Sequence, residues 1–159
     1  MKKLLAIICA SLLIVGCSQN PIDDKIGEDA QNPFIDYETL QDACKGAGMD
    51  IMLPDKIATY TIAKYRAIPN KLLEIIYLDN EEELRVRMSL TCEDNSGDYN
   101  FDTYDHETIE VDQMIVTLGM QNDLIKVAYW CDDNESFSMT CNQGISLEDL
   151  LALINTIHG

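Results

Sequence analysis

The sequence predicts an α+β domain: an N-terminal helix, a curved antiparallel meander sheet of about six strands, and a C-terminal helix packed on one sheet face. Three observations carry this. Apolar residues recur at three- and four-residue spacing near residue 40 and again after residue 146. From Ala58 to Cys141 the period is two, in runs bounded by Asn, Asp and Pro. The links between these runs are short, and short links join antiparallel neighbours.

The first helix is placed from Asp36, with Asp36 as cap and Ile35 and Leu40 at staple positions. Tyr37, Leu40, Ala43 and Cys44 form its apolar stripe, and Gly46 and Gly48 supply the stop. Met49 to Pro54 reads as a short extended segment. Strands are then expected at 59–67, 72–78, 83–91, 108–118, 124–131 and 136–141. Turn chemistry lies at Pro69-Asn70, Asp79-Asn80, Gln121-Asn122 and Asp133-Asn134. In the third strand Leu84, Val86, Met88, Leu90 and Cys92 alternate with Glu83, Arg85, Arg87, Ser89 and Thr91. That predicts one covered face and one wet face. The final helix opens on Ser146 as cap, with Asp149 three residues on and Ile145 and Leu150 as staple. Leu147, Leu150, Leu151, Ile154 and Ile157 form its buried stripe.

The N-terminus carries a different signal. Lys2 and Lys3 precede an apolar run from Leu4 to Val15, and Leu13-Ile14-Val15-Gly16-Cys17 closes it. This resembles the lipobox of bacterial lipoproteins, and the run is too short for a comfortable membrane span. The resemblance implies a signal peptide over 1–16, a diacylglycerol-bearing (palmitate-type) Cys17, and display on the outer side of a cell or outer membrane. Residues 17–33 are acidic and carry two prolines, which predicts a flexible tether of about 20–25 Å. One α+β domain over 34–159 follows.

Loss of residues 1–16 removes Lys2 and Lys3 and no acid. Of 11 basic residues 9 remain against 28 acids, a formal charge of −19 on 143 residues. That charge excludes nucleic acid as a partner, since little here could displace phosphate counterions. It permits a cationic protein partner.

Cys9 leaves with the signal and Cys17 takes lipid, so Cys44, Cys92, Cys131 and Cys141 remain. An even number in an exported chain favours disulfides. No C-x-x-C spacing occurs, which argues against zinc and thioredoxin-like sites. Four cysteines allow three pairings. On an alternating meander, Cys92 and Cys131 end strands at one edge and Cys141 ends the last strand near the first helix. The preferred map is therefore Cys92–Cys131 and Cys44–Cys141.

The last third of the chain resembles a family of unknown function found in extracytoplasmic bacterial lipoproteins and anti-sigma-like membrane proteins. The residues are Ile115 to Gly119, Ala128-Tyr129-Trp130-Cys131-Asp132, Ser136-Phe137-Ser138 and Gly144 to Leu150, with Leu53 to Ile57 upstream. The family often has Gly-Tyr in the hairpin, where this chain has Asn134-Glu135 and Phe137. The resemblance implies a helix, a curved antiparallel sheet and a helix, and it implies no reaction.

Catalytic and metal patterns are thin. The acidic stretch Glu93 to Glu107 places Asp98, Asn100 and Asp102 at EF-hand spacing. Continuing the register puts Thr103 where Gly is needed and Ile109 where Glu belongs, so it is no EF-hand. An irregular calcium loop stays open beside the default of a solvated acidic loop. His106 lies in that stretch and His158 is read as frayed; neither accompanies a G-x-S-x-G or H-E-x-x-H pattern. Trp130 and Phe137 are expected in the core beneath a helix. Lys64, Arg66, Lys71, Arg85 and Arg87 form a basic band that pairs with nearby acids or meets an anionic ligand. No catalytic residue, cofactor or metal ligand is assigned. The favoured reading is a membrane-tethered, non-enzymatic binding domain. The alternative is an acidic inhibitor of a cationic envelope enzyme such as a lysozyme or protease.

Overall fold

The structure, a computed structural model, describes residues 32–159. Cys17, the signal segment 1–16 and all of 17–33 except Asn32 and Pro33 lie outside the described residues.

The described chain runs β1 (Ile35–Tyr37), α1 (Leu40–Ala47), β2 (Lys56–Ile57), β3 (Tyr60–Ile68), β4 (Leu72–Asp79) and β5 (Glu82–Ser89). A 3-10 turn at Phe101–Thr103 follows, then β6 (Asp105–Val111), β7 (Met114–Gln121), β8 (Leu124–Asp132), β9 (Glu135–Ile145) and α2 (Leu147–His158). It is an α+β fold with nine described strands where about six were expected.

Two of the differences have a local cause. Asp36 pairs with Arg66 inside β1, so α1 starts later. Thr39 caps it, its Oγ1 accepting the Asp42 N–H at 3.1 Å. At the other end Gly48 takes φ 71°, and the Met49 N–H reaches the Cys44 carbonyl at 3.0 Å, closing a Schellman turn. The expected strand 108–118 is two strands. Asp112 and Gln113 both take positive φ, 48° and 71°, which makes a two-residue type I′ hairpin. Asn122-Asp123 and Asp133-Asn134 form the same turn type.

Strand order is β1-β3-β4-β5-β9-β8-β7-β6, with β2 on β3. All pairings are antiparallel. Two meanders, β3-β4-β5 and β6-β7-β8-β9, thus join through β5 and β9, and the single expected meander is corrected. The last strand sits mid-sheet because the Leu90–Tyr104 connection carries the chain to the far edge first.

One face holds the core. Leu73, Ile75, Tyr77, Leu84, Val86, Met88, Phe137, Met139, Ala128 and Trp130 meet Ala43 and Ala47 of α1 and Leu150, Leu153 and Ile154 of α2. Ser146 caps α2 by accepting the Asp149 N–H at 3.2 Å, with Ile145 and Leu150 buried as the staple. Leu147, expected in the stripe, is 44% exposed. Trp130 and Phe137 stack at 5.6 Å and are buried. His158 is engaged rather than frayed: its Nε2 accepts Trp130 Nε1–H at 3.0 Å, and its Nδ1 lies 3.1 Å from Asp132.

Candidate functional site

The other face of the sheet was expected to be wet. Part of it is covered by Leu90–Tyr104, a strap that crosses β9, β8 and β7 on its way to β6. Charge is what binds the two layers. Glu74, fully buried on β4, receives Arg66 on one carboxylate oxygen and Arg87 Nε at 2.6 Å on the other. Arg87 Nη1 donates to the Asn95 carbonyl, at 3.1 Å, and to the Ser96 carbonyl. A buried carboxylate demands such pairing, since an unpaired one would cost several kcal/mol. Gly97, at φ 65°, lies against the Arg87 guanidinium with no room for a side chain.

Further contacts fix the strap along its length. Asn95 Nδ2 donates to Ser89 Oγ and to the Ser136 carbonyl, both at 3.1 Å. Phe101 stacks on His106 and meets Tyr129 edge-on at 5.5 Å. Phe101 and Tyr104 both rest over Gly119, where a Cβ would crowd their rings. Cys92 and Cys131 are bridged, Cα atoms 5.5 Å apart, which ties the start of the strap to β8.

Between strap and sheet lies a polar cleft of about 200 Å³. Its floor is Glu83, Arg85, Thr140 and Asn142 on β5 and β9, and Ser96–Asn100 form its roof. Arg85 stands directly opposite Thr140. Glu83 Oε2 takes Arg85 Nε at 3.0 Å and Nη2 at 2.5 Å. Asp98 caps the roof, accepting the Asn100 N–H at 2.7 Å and the Tyr104 hydroxyl at 3.3 Å. Burial and the Asp98 carboxylate raise the Tyr104 pKa, so this hydroxyl stays a donor.

The sequence-expected residues divide cleanly. In the basic band, Arg66 and Arg87 pair with Glu74 and Arg85 with Glu83. The second bridge, Cys44 to Cys141, does not form; both are buried free thiols. Its premise was β9 at the sheet's outer edge near α1. With β9 between β5 and β8, Cys141 instead donates to Tyr60 Oη at 3.3 Å. Burial raises the Cys44 pKa, which keeps it protonated and unreactive. In the acidic stretch, Asp94 and Asp98 cap backbone amides of their own loop. Among the described residues no group of His, Cys, Asp or Glu is placed to hold a metal ion. The strap itself was missed as a layer. Its signal was length, since a long aperiodic connection inside a small domain is uncommon without a task.

Fold and site define a class: an α+β domain with helices on one sheet face and a pinned strap on the other. Residues 52–157 match the domain of unknown function DUF4367, and the chain belongs to that family. The match takes in β2 through β9 and nearly all of α2. No curated protein and no solved structure matches the chain.

Proposed function

We propose that this protein is a lipid-anchored lipoprotein of the cell envelope whose displayed domain binds a ligand without catalysing a reaction. The anchor rests on one observation, Gly16-Cys17 closing a basic-then-apolar N-terminus. In this reading residues 1–16 are a signal peptide, Cys17 carries the acyl chains, and 17–33 hold the domain over 34–159 off the membrane. Two acyl signals on one residue give stable anchoring where a single chain is marginal. A surface this acidic needs that anchor, because anionic lipid repels it. The binding role rests on the cleft beneath the strap, an open polar recess whose roof is pinned by Arg87 and its buried pair with Glu74.

Metabolic labelling with a palmitate analogue tests the anchor. The wild type is expected to take label and sediment with membranes, and Cys17→Ala to lose both. An unlabelled, soluble wild type would overturn it. A second reading, an inhibitor of a cationic envelope enzyme, is favoured by one further feature. The groove between the β4–β5 turn and the start of α2 carries Asp79, Glu81, Glu82 and Asp149 and no Lys or Arg. That reading requires capture of a basic enzyme that weakens steeply with salt.

A further inference from the structure

We infer that the cleft between the strap and strands β5 and β9 binds a neutral sugar residue; this deepens the binding-domain reading and rests on it. The first ground is the chemistry of the walls. Glu83 Oε2 occupies Arg85 Nε and Nη2, which leaves Arg85 Nη1 as donor and Glu83 Oε1 as acceptor. The Thr140 hydroxyl and the side-chain amides of Asn100 and Asn142 make no hydrogen bond to other described residues. Each of the three both donates and accepts.

Charge then selects among ligands. Glu83 and Asp98 oppose an anion, and Arg85 opposes a cation. An apolar molecule would strand every polar group it covered, at a cost that favours water instead. A polyol suffers none of these penalties, because each of its hydroxyls is donor and acceptor at once. The volume, about 200 Å³, falls below that of pockets suited to large apolar ligands and admits one ring.

Tyr99 is the second ground. Its side chain is 100% exposed at the cleft mouth, so it contributes nothing to the core. Yet its segment is not loose: Arg87 holds the carbonyls of Asn95 and Ser96, and Asp98 holds the Asn100 N–H. An aromatic ring displayed on a pinned backbone offers an apolar face beside polar walls. The C–H face of a pyranose has the matching character, apolar on its face and hydroxylated at its rim. Because the roof's backbone is already pinned, little backbone entropy is lost on binding.

The sugar could belong to a glycan chain of the envelope or be free, and the test separates these sources. The full chain, ¹⁵N-labelled in a zwitterionic detergent without a sugar headgroup, is titrated with glucose, N-acetylglucosamine, the N-acetylglucosamine tetramer and inorganic phosphate. Saturable shifts at the amides of Gly97–Asn100 and Thr140–Asn142, unchanged by added salt, are expected. Response to monomers indicates a free sugar, and response to the tetramer alone indicates a glycan chain. Tyr99→Ala and Thr140→Val should each weaken binding about tenfold. Tyr99→Ala should leave Tm unchanged, as an exposed ring requires. No shift at these amides at ~20 mM sugar, or shifts with phosphate only, overturns the inference. Membrane sedimentation of the same protein before detergent is added keeps the two readings apart: sugar binding can fail while anchoring holds, and the reverse.

Discussion

Glu74 shows how much one residue can organise. It sits on β4, fully buried, and two arginines from flanking strands meet on it. Removing it leaves two guanidinium groups without a countercharge. Glu74→Ala should cost about 3–5 kcal/mol in urea denaturation; a loss below ~1 would mean the arginines find solvent. Tyr77 acts differently. Its hydroxyl donates to the Pro54 carbonyl at 2.9 Å, and burial raises its pKa well above 10. The unfolded chain therefore releases this proton at lower pH than the folded one. Its contribution is fully present below pH ~10 and is lost as pH rises from there through the folded pKa. Tyr77→Phe should lose about 1 kcal/mol at pH 7. It should also flatten the stability decline above pH 10, and an unchanged slope would show that Tyr77 titrates normally.

Elements were legible wherever local chemistry decided them. Ser146, Ile145 and Leu150 announce α2, and the hydrogen bonds follow that reading. The hairpin at Asp112-Gln113 was hidden because Gln gives no turn signal, although the two polar residues lie between Val111 and Met114. Gln113 takes φ 71°, a conformation that costs a non-glycine residue about 1 kcal/mol. Gln113→Gly should accordingly raise stability by about that amount, checked by thermal unfolding, and a fall in Tm would sink the turn assignment. The strap is held by a covalent link as well as by Arg87. Serine at both Cys92 and Cys131 should cost about 2–4 kcal/mol of unfolding free energy, measured by denaturant titration. A loss much smaller than that would mean Arg87 and Asn95 hold the strap alone.

At the scale of the molecule, charge dominates. The full sequence carries −17, with 28 acids against 11 bases. Like charge at this density opposes compaction, and salt screens it. Tm should rise between 10 mM and about 0.5 M sodium chloride; a fall would show that Glu74, Arg66 and Arg87 are solvent-accessible. The cleft belongs to this scale too. Thr140 and Arg85 were each visible in their strands, but nothing local placed Tyr99 above them.

By itself the sequence determined the fold class, both helices, most strand positions and the burial of Trp130 and Phe137. These depend on spacing, caps and turn residues, which act over a few neighbours. It also carried the resemblance of Leu53–Ile57 and Ile115–Leu150 to a family of unknown function, and residues 52–157 match one such family, DUF4367. Tertiary structure alone decided that β9 enters between β5 and β8, that Cys44 and Cys141 stay apart, and that the acidic stretch crosses the second face. Those outcomes depend on where a long connection lands, and its path is set by distant partners. Arg87 and Ser136 draw the strap across the sheet through bonds formed only once β5 and β9 are side by side.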